Sequence, residues 1–300
     1  MPQKINKNCI AIDINTGEII TKIDANTTLY SPLDKKNAEK RRKKEQQIKY
    51  RRIQIEDLGK FVLLRIQKIP TNISAATLGR LTMLATFINY NNKLMLTEQT
   101  ALRKKDFPKI LNLSERATKA FIAEIKGKYL IEKSDGLYLN KIYYRGENKK
   151  FKRDAKTKLF IKTIQSLYYH MKPSKHKFFG MIIQLVPYIN TEYNILCSNP
   201  DEKNIDNIKS LKITEICGLL NYDKSQTGKF IDHITELMFE SDDYEQSLCS
   251  ITQFNNSGKN NYRIFINPRI IYNGSNYKKV EILCTFGAGV RTYSWTILCC

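Results

Sequence analysis

The chain has 300 residues, 42% of them hydrophobic, which is enough apolar material for about two domains with real cores and too much for a disordered chain. Lys and Arg number 50 against 29 Asp and Glu, so the formal net charge is +21. No run of residues approaches the roughly 18 apolar residues that a membrane-spanning helix needs, and no apolar segment follows the polar N-terminus, so we expect neither a membrane span nor a signal peptide.

The positive charge indicates a polyanionic partner, because like charges repel one another within a compact fold. Nucleic acid is the first candidate, since neutralising phosphates releases counterions and drives binding. An anionic membrane surface is the second candidate. A lysine-rich, solvated surface encoded by an AT-rich genome is the third interpretation, and it also explains the abundance of Asn, Ile, Lys and Tyr.

Motifs of catalysis are missing from the sequence. The seven cysteines include no CxxC pair, so they indicate neither a zinc ribbon nor a disulfide framework, and a reduced cytoplasm fits best. The three histidines form no HxH pair, and there is no GxxxxGK[ST], HExxH or GxSxG motif. We therefore predict a cytoplasmic protein that is not an enzyme and that uses neither cofactor nor metal.

The first predicted elements are a hairpin and a basic helix. Alternating apolar residues flank Asn15-Thr16-Gly17, which indicates a β-hairpin within a polar segment, 1–34. Segment 35–52 carries ten basic residues against two acidic ones and no apolar stripe, which favours an exposed helix in an arm, 35–60. This arm either lies along DNA phosphates, without reading sequence, or is a solvated linker. The residues expected on phosphates are Lys40, Arg41, Arg42, Lys43, Lys44, Arg51 and Arg52.

Segment 61–150 has the order of elements of a winged helix. A short turn, LNLS, separates two predicted helices, and an Asp-Gly hairpin follows the second helix directly. The predicted elements are a helix at 74–89, a strand at 93–96, helices at 101–111 and 115–126, and hairpin strands at 129–133 and 137–140.

Segment 174–286 repeats this order, which strengthens the prediction. Its predicted elements are a helix at 175–190, a strand at 193–197, helices at 211–220 and 226–239, and strands at 247–254 and 262–266. We align INYNNKLML with INTEYNILC, ILNLSERATKAFIAEI with LLNYDKSQTGKFIDHI, and GLYLNKIYYRG with YRIFINPRIIYNG. The sequence therefore predicts a mainly α fold with small β-hairpins (α+β), in which two tandem winged helix-turn-helix units are joined by a connecting helix, 151–173. A divergent tail, 287–300, follows.

The second helix of a helix-turn-helix enters the major groove, where its N-terminal side chains meet base edges. Arg116 suits bidentate contact with guanine, and Gln226 suits contact with adenine. Acidic residues dilute the charge of the second unit, so that unit is also a candidate dimerisation or partner module. Early polar residues of a helix also serve as caps, which is the alternative for each position. The predicted DNA contacts are Arg103, Lys104, Lys105, Ser114, Arg116, Thr118 and Lys119 in the first unit, and Lys224, Ser225, Gln226, Lys229, Lys259 and Arg263 in the second.

Several stretches resemble known replication proteins. IDINTGEIITKID and INPRIIYNGSNYKKVEILCTF resemble the small Firmicute plasmid replication proteins of the RepL family. INYNNKLML, LYLNKIYYRG and SKHKFFGMIIQLVPYINTEYNILCSNP resemble tandem winged-helix proteins of Firmicute plasmids and phages. The resemblance implies binding to a plasmid or phage origin, with host enzymes recruited for the chemistry. The chain departs from the small plasmid proteins in having two predicted winged helices, and its tail, GAGVRTYSWTILCC, looks unlike the sequence before it.

The sequence thus predicts specific binding to double-stranded DNA by a replication initiator. A transcriptional regulator on the same scaffold is the first alternative, and a protein–protein interaction module whose charge is incidental is the second. The expected partners are double-stranded DNA, host replication proteins and a second copy of the chain.

Overall fold

A computed structural model describes residues 3–4, 8–12, 16–23, 28–29, 32–146, 151, 154–241, 244–256, 259–274, 276–283 and 286. The chain forms two compact bodies, an N-terminal body, Met1–Ile53, and a main body, Gln54–Cys300. The fold is mixed α+β with small antiparallel sheets. Among the described residues, no helix is both long enough and apolar enough to cross a membrane. The predicted tail, 287–300, lies outside the described residues.

The N-terminal body contains short antiparallel strand pairs and most of a long helix. Thr16 and Gly17 lie between the strands of the predicted hairpin, and Gly17 has a φ of 75°, a conformation that glycine adopts without strain. The first and fourth strands pair, as do the second and third. The elements are β1 (Gln3–Lys4), β2 (Cys9–Ile12), β3 (Ile19–Ile23), β4 (Thr28–Leu29) and α1 (Pro32–Leu58), whose last residues belong to the main body.

The main body has two halves with similar element order, which we call the first half (61–146) and the second half (154–274). Strands of the first half are β5 (Phe61–Arg65), β6 (Leu130–Lys133), β7 (Gly136–Leu139) and β8 (Tyr143–Tyr144), and its helices are α2 (Ala75–Ala85), α3 (Phe107–Ile110) and α4 (Glu115–Ile125). The second half has β9 (Lys156–Phe160), α5 (Ile161–His170), α6 (His176–Gln184), α7 (Ile213–Leu219), α8 (Thr227–Thr235), β10 (Met238–Ser241), β11 (Tyr244–Ser247), β12 (Cys249–Asn256), β13 (Lys259–Ile266) and β14 (Ile271–Tyr272). A last helix, α9 (Lys278–Leu283), follows.

One four-stranded antiparallel sheet joins the halves, with the strand order β14-β9-β5-β8. Its two central strands, β5 and β9, come one from each half and pair with Leu63 opposite Lys158. Val62 and Leu64 alternate with more exposed neighbours on β5, so one face of the sheet is buried. The two edge strands, β8 and β14, each extend the strand of their own half.

Helices α2 and α6 pack against each other through two glycines. A Cβ atom at Gly79 would lie 2.6 Å from the carbonyl oxygen of His176, and a Cβ atom at Gly180 would overlap the carbonyl oxygen of Ala75. Only glycine permits so close an approach of two helix backbones, because it has no Cβ. The two halves share one continuous hydrophobic core, which includes Leu78 and Ile182 from these helices.

Asparagine in the left-handed backbone region recurs at matching places in the two halves. Asn92 and Asn194 have φ values of 63° and 53°, and both are buried. The Asn92 amide nitrogen donates to the carbonyl oxygens of Asn140 (3.3 Å) and Tyr143 (2.5 Å). The amide nitrogen of Asn194 donates in the same way to Ile266 (3.0 Å) and Ile271 (2.6 Å). Each side chain thus ties the loop after α2 or α6 to the end of the hairpin of its half.

Two predicted helices are shorter in the structure. The helix predicted at 101–111 begins as a 3₁₀ turn at Lys104–Asp106, because the Asp106 carboxylate accepts from the backbone N–H of Arg103 at 2.8 Å and caps the turn there. The helix predicted at 226–239 ends at Thr235, because residues Met238–Ser241 instead pair with β11. Long-range pairing overrides the helical apolar pattern in this segment.

Other predicted boundaries also move. The helix predicted at 74–89 ends at Ala85, and the helix predicted at 175–190 covers only His176–Gln184 before a 3₁₀ turn that contains Pro187. Proline lacks the N–H that a continued helix needs. The strands predicted at 93–96 and 193–197 form only isolated bridges, of which Ile88 with Leu94 is one.

A buried histidine lies where α5 and α6 meet. His176 is fully buried, its ring stacks on Tyr168 at 4.2 Å, and its Nδ1 lies 3.0 Å from the Tyr168 hydroxyl. The tyrosine hydroxyl also donates to the carbonyl oxygen of Leu111 at 3.1 Å, so we assign the imidazole proton to Nδ1. The Nε2 atom has no hydrogen-bond partner. Burial, with the nearby charge of Arg80, lowers the pKa of His176 from 6.5 to about 4.

We expect this histidine to make the protein sensitive to mild acid. The unfolded chain takes up a proton near pH 6.5 and the folded chain only near pH 4, so the free energy of unfolding falls as the pH drops through this window. The loss approaches about 3 kcal/mol near the lower limit. Urea unfolding at several pH values should show a shallower dependence between pH 6.5 and 4 in His176→Asn, which retains a donor toward Tyr168. Equal slopes in both proteins would contradict the expectation.

Candidate nucleic-acid interface

The turn before α4 is fixed by the local sequence. Asn112 has a φ of 48°, and the backbone N–H of Leu113 donates to the carbonyl oxygen of Pro108 at 3.0 Å. The Ser114 hydroxyl then caps α4 by accepting from the N–H of Ala117 at 3.3 Å. These contacts leave Arg116 exposed on the first turn of the helix.

The turn before α8 uses the same backbone geometry with different side chains. Asn221 has a φ of 50°, and the N–H of Tyr222 donates to the carbonyl oxygen of Cys217 at 2.8 Å. Asp223 replaces the serine cap and accepts from the N–H of Ser225 at 2.9 Å, which lowers the pKa of this carboxyl group. The Gln226 amide also donates to Asp223, at 3.4 Å, so the cap partly engages the side chain that we predicted would read adenine.

Most of the predicted contact residues lie at exposed positions around these two helix starts. Lys104 is half-buried and lies 2.5 Å from Glu132 of β6, and this hydrogen bond lowers the pKa of Glu132. The ion pair ties the 3₁₀ turn before α3 to the first hairpin and leaves Lys104 less available to phosphate. The exposed members of the predicted set are Arg103, Lys105, Ser114, Arg116 and Lys119 in the first half, and Lys224, Ser225, Gln226 and Lys229 in the second.

Two of the predicted contact residues are less accessible than the sequence suggests. Thr118 is only 3% exposed and shares the buried side of α4 with Phe121 and Ile125, so its hydroxyl does not reach a ligand outside the protein. Arg263 of β13 is half-buried, donates to the carbonyl oxygen of Ile205 at 3.4 Å, and has a pKa lowered by burial. It therefore ties its hairpin to the loop before α7.

Some predicted residues lie partly outside the described part of the chain. Lys259 begins β13, but its side chain is not among the described ones, and the same holds for Arg51 of α1. The remaining arm residues are exposed on α1: Lys40, Arg41, Arg42, Lys43, Lys44 and Arg52.

The structure adds basic residues that the sequence analysis missed. Lys109 of α3 is exposed, and Lys133 near the tip of the first hairpin lies over the Tyr138 ring at 4.3 Å. Lys212 precedes α7 as Arg103 precedes α3, and its N–H donates to Glu215 at 2.7 Å. Aligning the two acidic caps, Asp106 and Glu215, would have found Lys212.

Side-chain contacts of Asp135 hold the tip of the first hairpin. The Asp135 carboxylate accepts from the Tyr138 hydroxyl at 2.7 Å and from Lys93 at 3.0 Å, and these contacts lower its pKa. Gly136 has a φ of 146°, a backbone conformation that residues with a Cβ atom rarely adopt. The hairpin thus presents Lys133 in a defined orientation.

Within the described ranges, no group of three His, Cys, Asp or Glu side chains is placed to hold a metal ion. No family model, no curated protein and no solved structure matches the chain.

Proposed function

We propose that the protein binds double-stranded DNA in a sequence-specific manner through two winged helix-turn-helix units, 61–150 and 174–286. The observation that carries the proposal is the recurrence of one arrangement, a helix, a short turn with a left-handed asparagine, a second helix and a hairpin, in a chain with a net charge of +21. In this proposal α3 and α4 form the first helix-turn-helix with β6 and β7 as its wing. Helices α7 and α8, with β12 and β13, form the second.

Helix α4 is the better candidate for entering the major groove. Arg116 and Lys119 are exposed near its start, and the first turn of a helix favours phosphate through its free N–H groups and dipole. Arg116 has the planar, forked guanidinium group that matches the O6 and N7 atoms of guanine. Lys105 and Lys109 are exposed on the preceding turn and helix and are suited to phosphate contacts.

Helix α8 carries one Lys or Arg residue, Lys229, whereas α4 carries two, Arg116 and Lys119. Lys224 of the preceding 3₁₀ turn and Lys229 of α8 are exposed, but Asp223 caps that turn and Glu236 follows the helix. Lys175 lies 2.7 Å from Glu236, which lowers the pKa of that carboxyl group and neutralises one charge at this end. We therefore propose that the second unit contributes less affinity than the first.

The more specific part of the proposal is that the protein acts as a plasmid or phage replication initiator. It rests on the resemblance of the first and last segments to the RepL family, and it implies a cytoplasmic protein that recruits host replication enzymes. DNA binding itself depends on the exposed helix starts and not on that resemblance.

Substitution of Arg116 tests the proposal. On a duplex that carries the flanking region of the protein's own gene, we expect Arg116→Ala to weaken binding by about 10- to 100-fold, since one bidentate base contact is lost. Gln226→Ala should weaken it less, because Asp223 already engages this amide. Binding is measured against scrambled competitor over a salt series.

Lys162→Ala is the matched control, since Lys162 is exposed on α5, lies outside segments 61–150 and 174–286, and its loss removes the same charge. It should change binding by less than about twofold. Equal, unselective binding by wild type, Arg116→Ala and the control would contradict specific recognition and leave only a basic surface.

A further inference from the structure

The two halves of the main body make reciprocal contacts. In the central sheet, Leu63 pairs with Lys158, and each strand carries its own edge strand on its outer side. At the helix crossing, Gly79 faces the carbonyl oxygen at the start of α6, while Gly180 faces the carbonyl oxygen at the start of α2. If equivalent residues of the two halves are exchanged, each of these contacts becomes the corresponding contact of the other half. Such reciprocity is the property of an isologous, two-fold interface.

The helices proposed to enter DNA obey the same exchange. The Glu124 carboxylate of α4 accepts from the N–H of Ser74, at 2.9 Å, and from Thr77 at the start of α2. At the equivalent place of α8, the His233 ring packs on Phe178 of α6 at 4.3 Å. Each proposed recognition helix thus packs on the first turn of α2 or α6, whichever belongs to its own half. The approximate two-fold axis implied by the reciprocal contacts therefore relates α4 to α8.

We propose that a single chain reads an imperfect inverted repeat in duplex DNA, with α4 on one half-site and α8 on the other. The inference rests on the proposed function. The DNA backbone has local two-fold axes, and elements related by a two-fold axis meet it at equivalent places in opposite directions. The crossing of α2 and α6 takes the place of a subunit interface, so one chain suffices for both half-sites.

The half-sites differ because the equivalent side chains differ. When Ser114 is aligned with Asp223, Arg116 corresponds to Ser225 and Lys119 corresponds to Gly228. A guanidinium group that reads guanine therefore has a hydroxyl as its counterpart in the second half. The first half-site supplies most of the discrimination, and the second fixes the orientation of the chain on the DNA.

The test begins with a footprint of wild-type protein on the flanking duplex of its own gene. Three duplexes are then compared: the footprinted site, the same site with its second half-site reversed in place, and the first half-site alone. We expect native mass spectrometry to show one chain per duplex. We also expect the binding affinity for the reversed site to be at least about tenfold lower than for the footprinted site. Arg116→Ala should lose protection over the first half-site and Lys229→Ala over the second.

The outcomes separate the two proposals. Equal affinity for native and reversed sites, a footprint confined to one half-site, or two chains per native duplex would overturn the inverted-repeat inference and leave specific DNA binding intact. Absence of any footprint at low salt would overturn the proposed function itself and this inference with it.

Discussion

Gly180→Ala should destabilise the protein by about 3 kcal/mol or more, measured by urea unfolding. The added methyl group overlaps the carbonyl oxygen of Ala75 and lies 3.0 Å from the backbone nitrogen of Gly79. Both neighbours are main-chain atoms of α2, so no side-chain rotation relieves the overlap, and the two central helices must separate. Their separation opens the core that the two halves share.

Gly228→Ala is the control for this substitution. Gly228 also lies in a helix, but a Cβ atom there meets nothing within 4 Å. Replacing glycine by alanine in an exposed helix stabilises it by up to about 1 kcal/mol. If Gly180→Ala is as stable as wild type, or is stabilised as Gly228→Ala is, then α2 and α6 do not cross as closely as the structure shows.

Asn194→Ala should cost about 3 to 5 kcal/mol in the free energy of unfolding. The substitution leaves the buried carbonyl oxygens of Ile266 and Ile271 without their side-chain donor, and each buried acceptor that loses its partner costs about 1 to 3 kcal/mol. Alanine is also strained at a φ of 53°, which asparagine tolerates better.

Asn221→Ala separates these two causes. Asn221 has nearly the same backbone conformation, with a φ of 50°, but it is exposed. Its replacement should cost only the backbone strain, about 1 to 2 kcal/mol. An Asn194→Ala cost no larger than that of Asn221→Ala would show that the buried amide contacts contribute nothing to stability.

Local signals in the sequence predict much of the fold. Ser114 followed by an amphipathic stretch predicts α4 almost to the residue, and Asp135-Gly136 predicts the turn of the first hairpin. The repeated LN pairs, which end in Asn112 and Asn221, predict the two matching turns because asparagine tolerates a positive φ. Each of these features depends on neighbours within a few residues.

Non-local contacts account for what the sequence did not predict. Met238–Ser241 has a helical apolar pattern but forms a strand, and the N–H of Glu240 donates to the Ser166 hydroxyl of α5 at 2.9 Å. The approach of Gly79 to Gly180 involves residues about one hundred positions apart, and neither has a distinctive local motif.

The lower accessibility of two predicted contact residues has a different reason. The position of Thr118 near the helix start predicts a contact with DNA, but its spacing to Phe121 and Ile125 puts it on the apolar stripe. Helical periodicity was therefore the better guide for this residue. Arg263 gave no such signal, since its contact with Ile205 joins segments distant in sequence.

Selection from a pool of random duplexes by the full-length chain, at about 0.15 M salt, tests specific DNA recognition most directly. We expect repeated rounds to enrich one motif, and Arg116→Ala to enrich it weakly or lose its guanine positions. A pool that stays random after several rounds, although the protein binds duplex at low salt, would contradict sequence-specific recognition and show that the charge of the chain acts on phosphates alone.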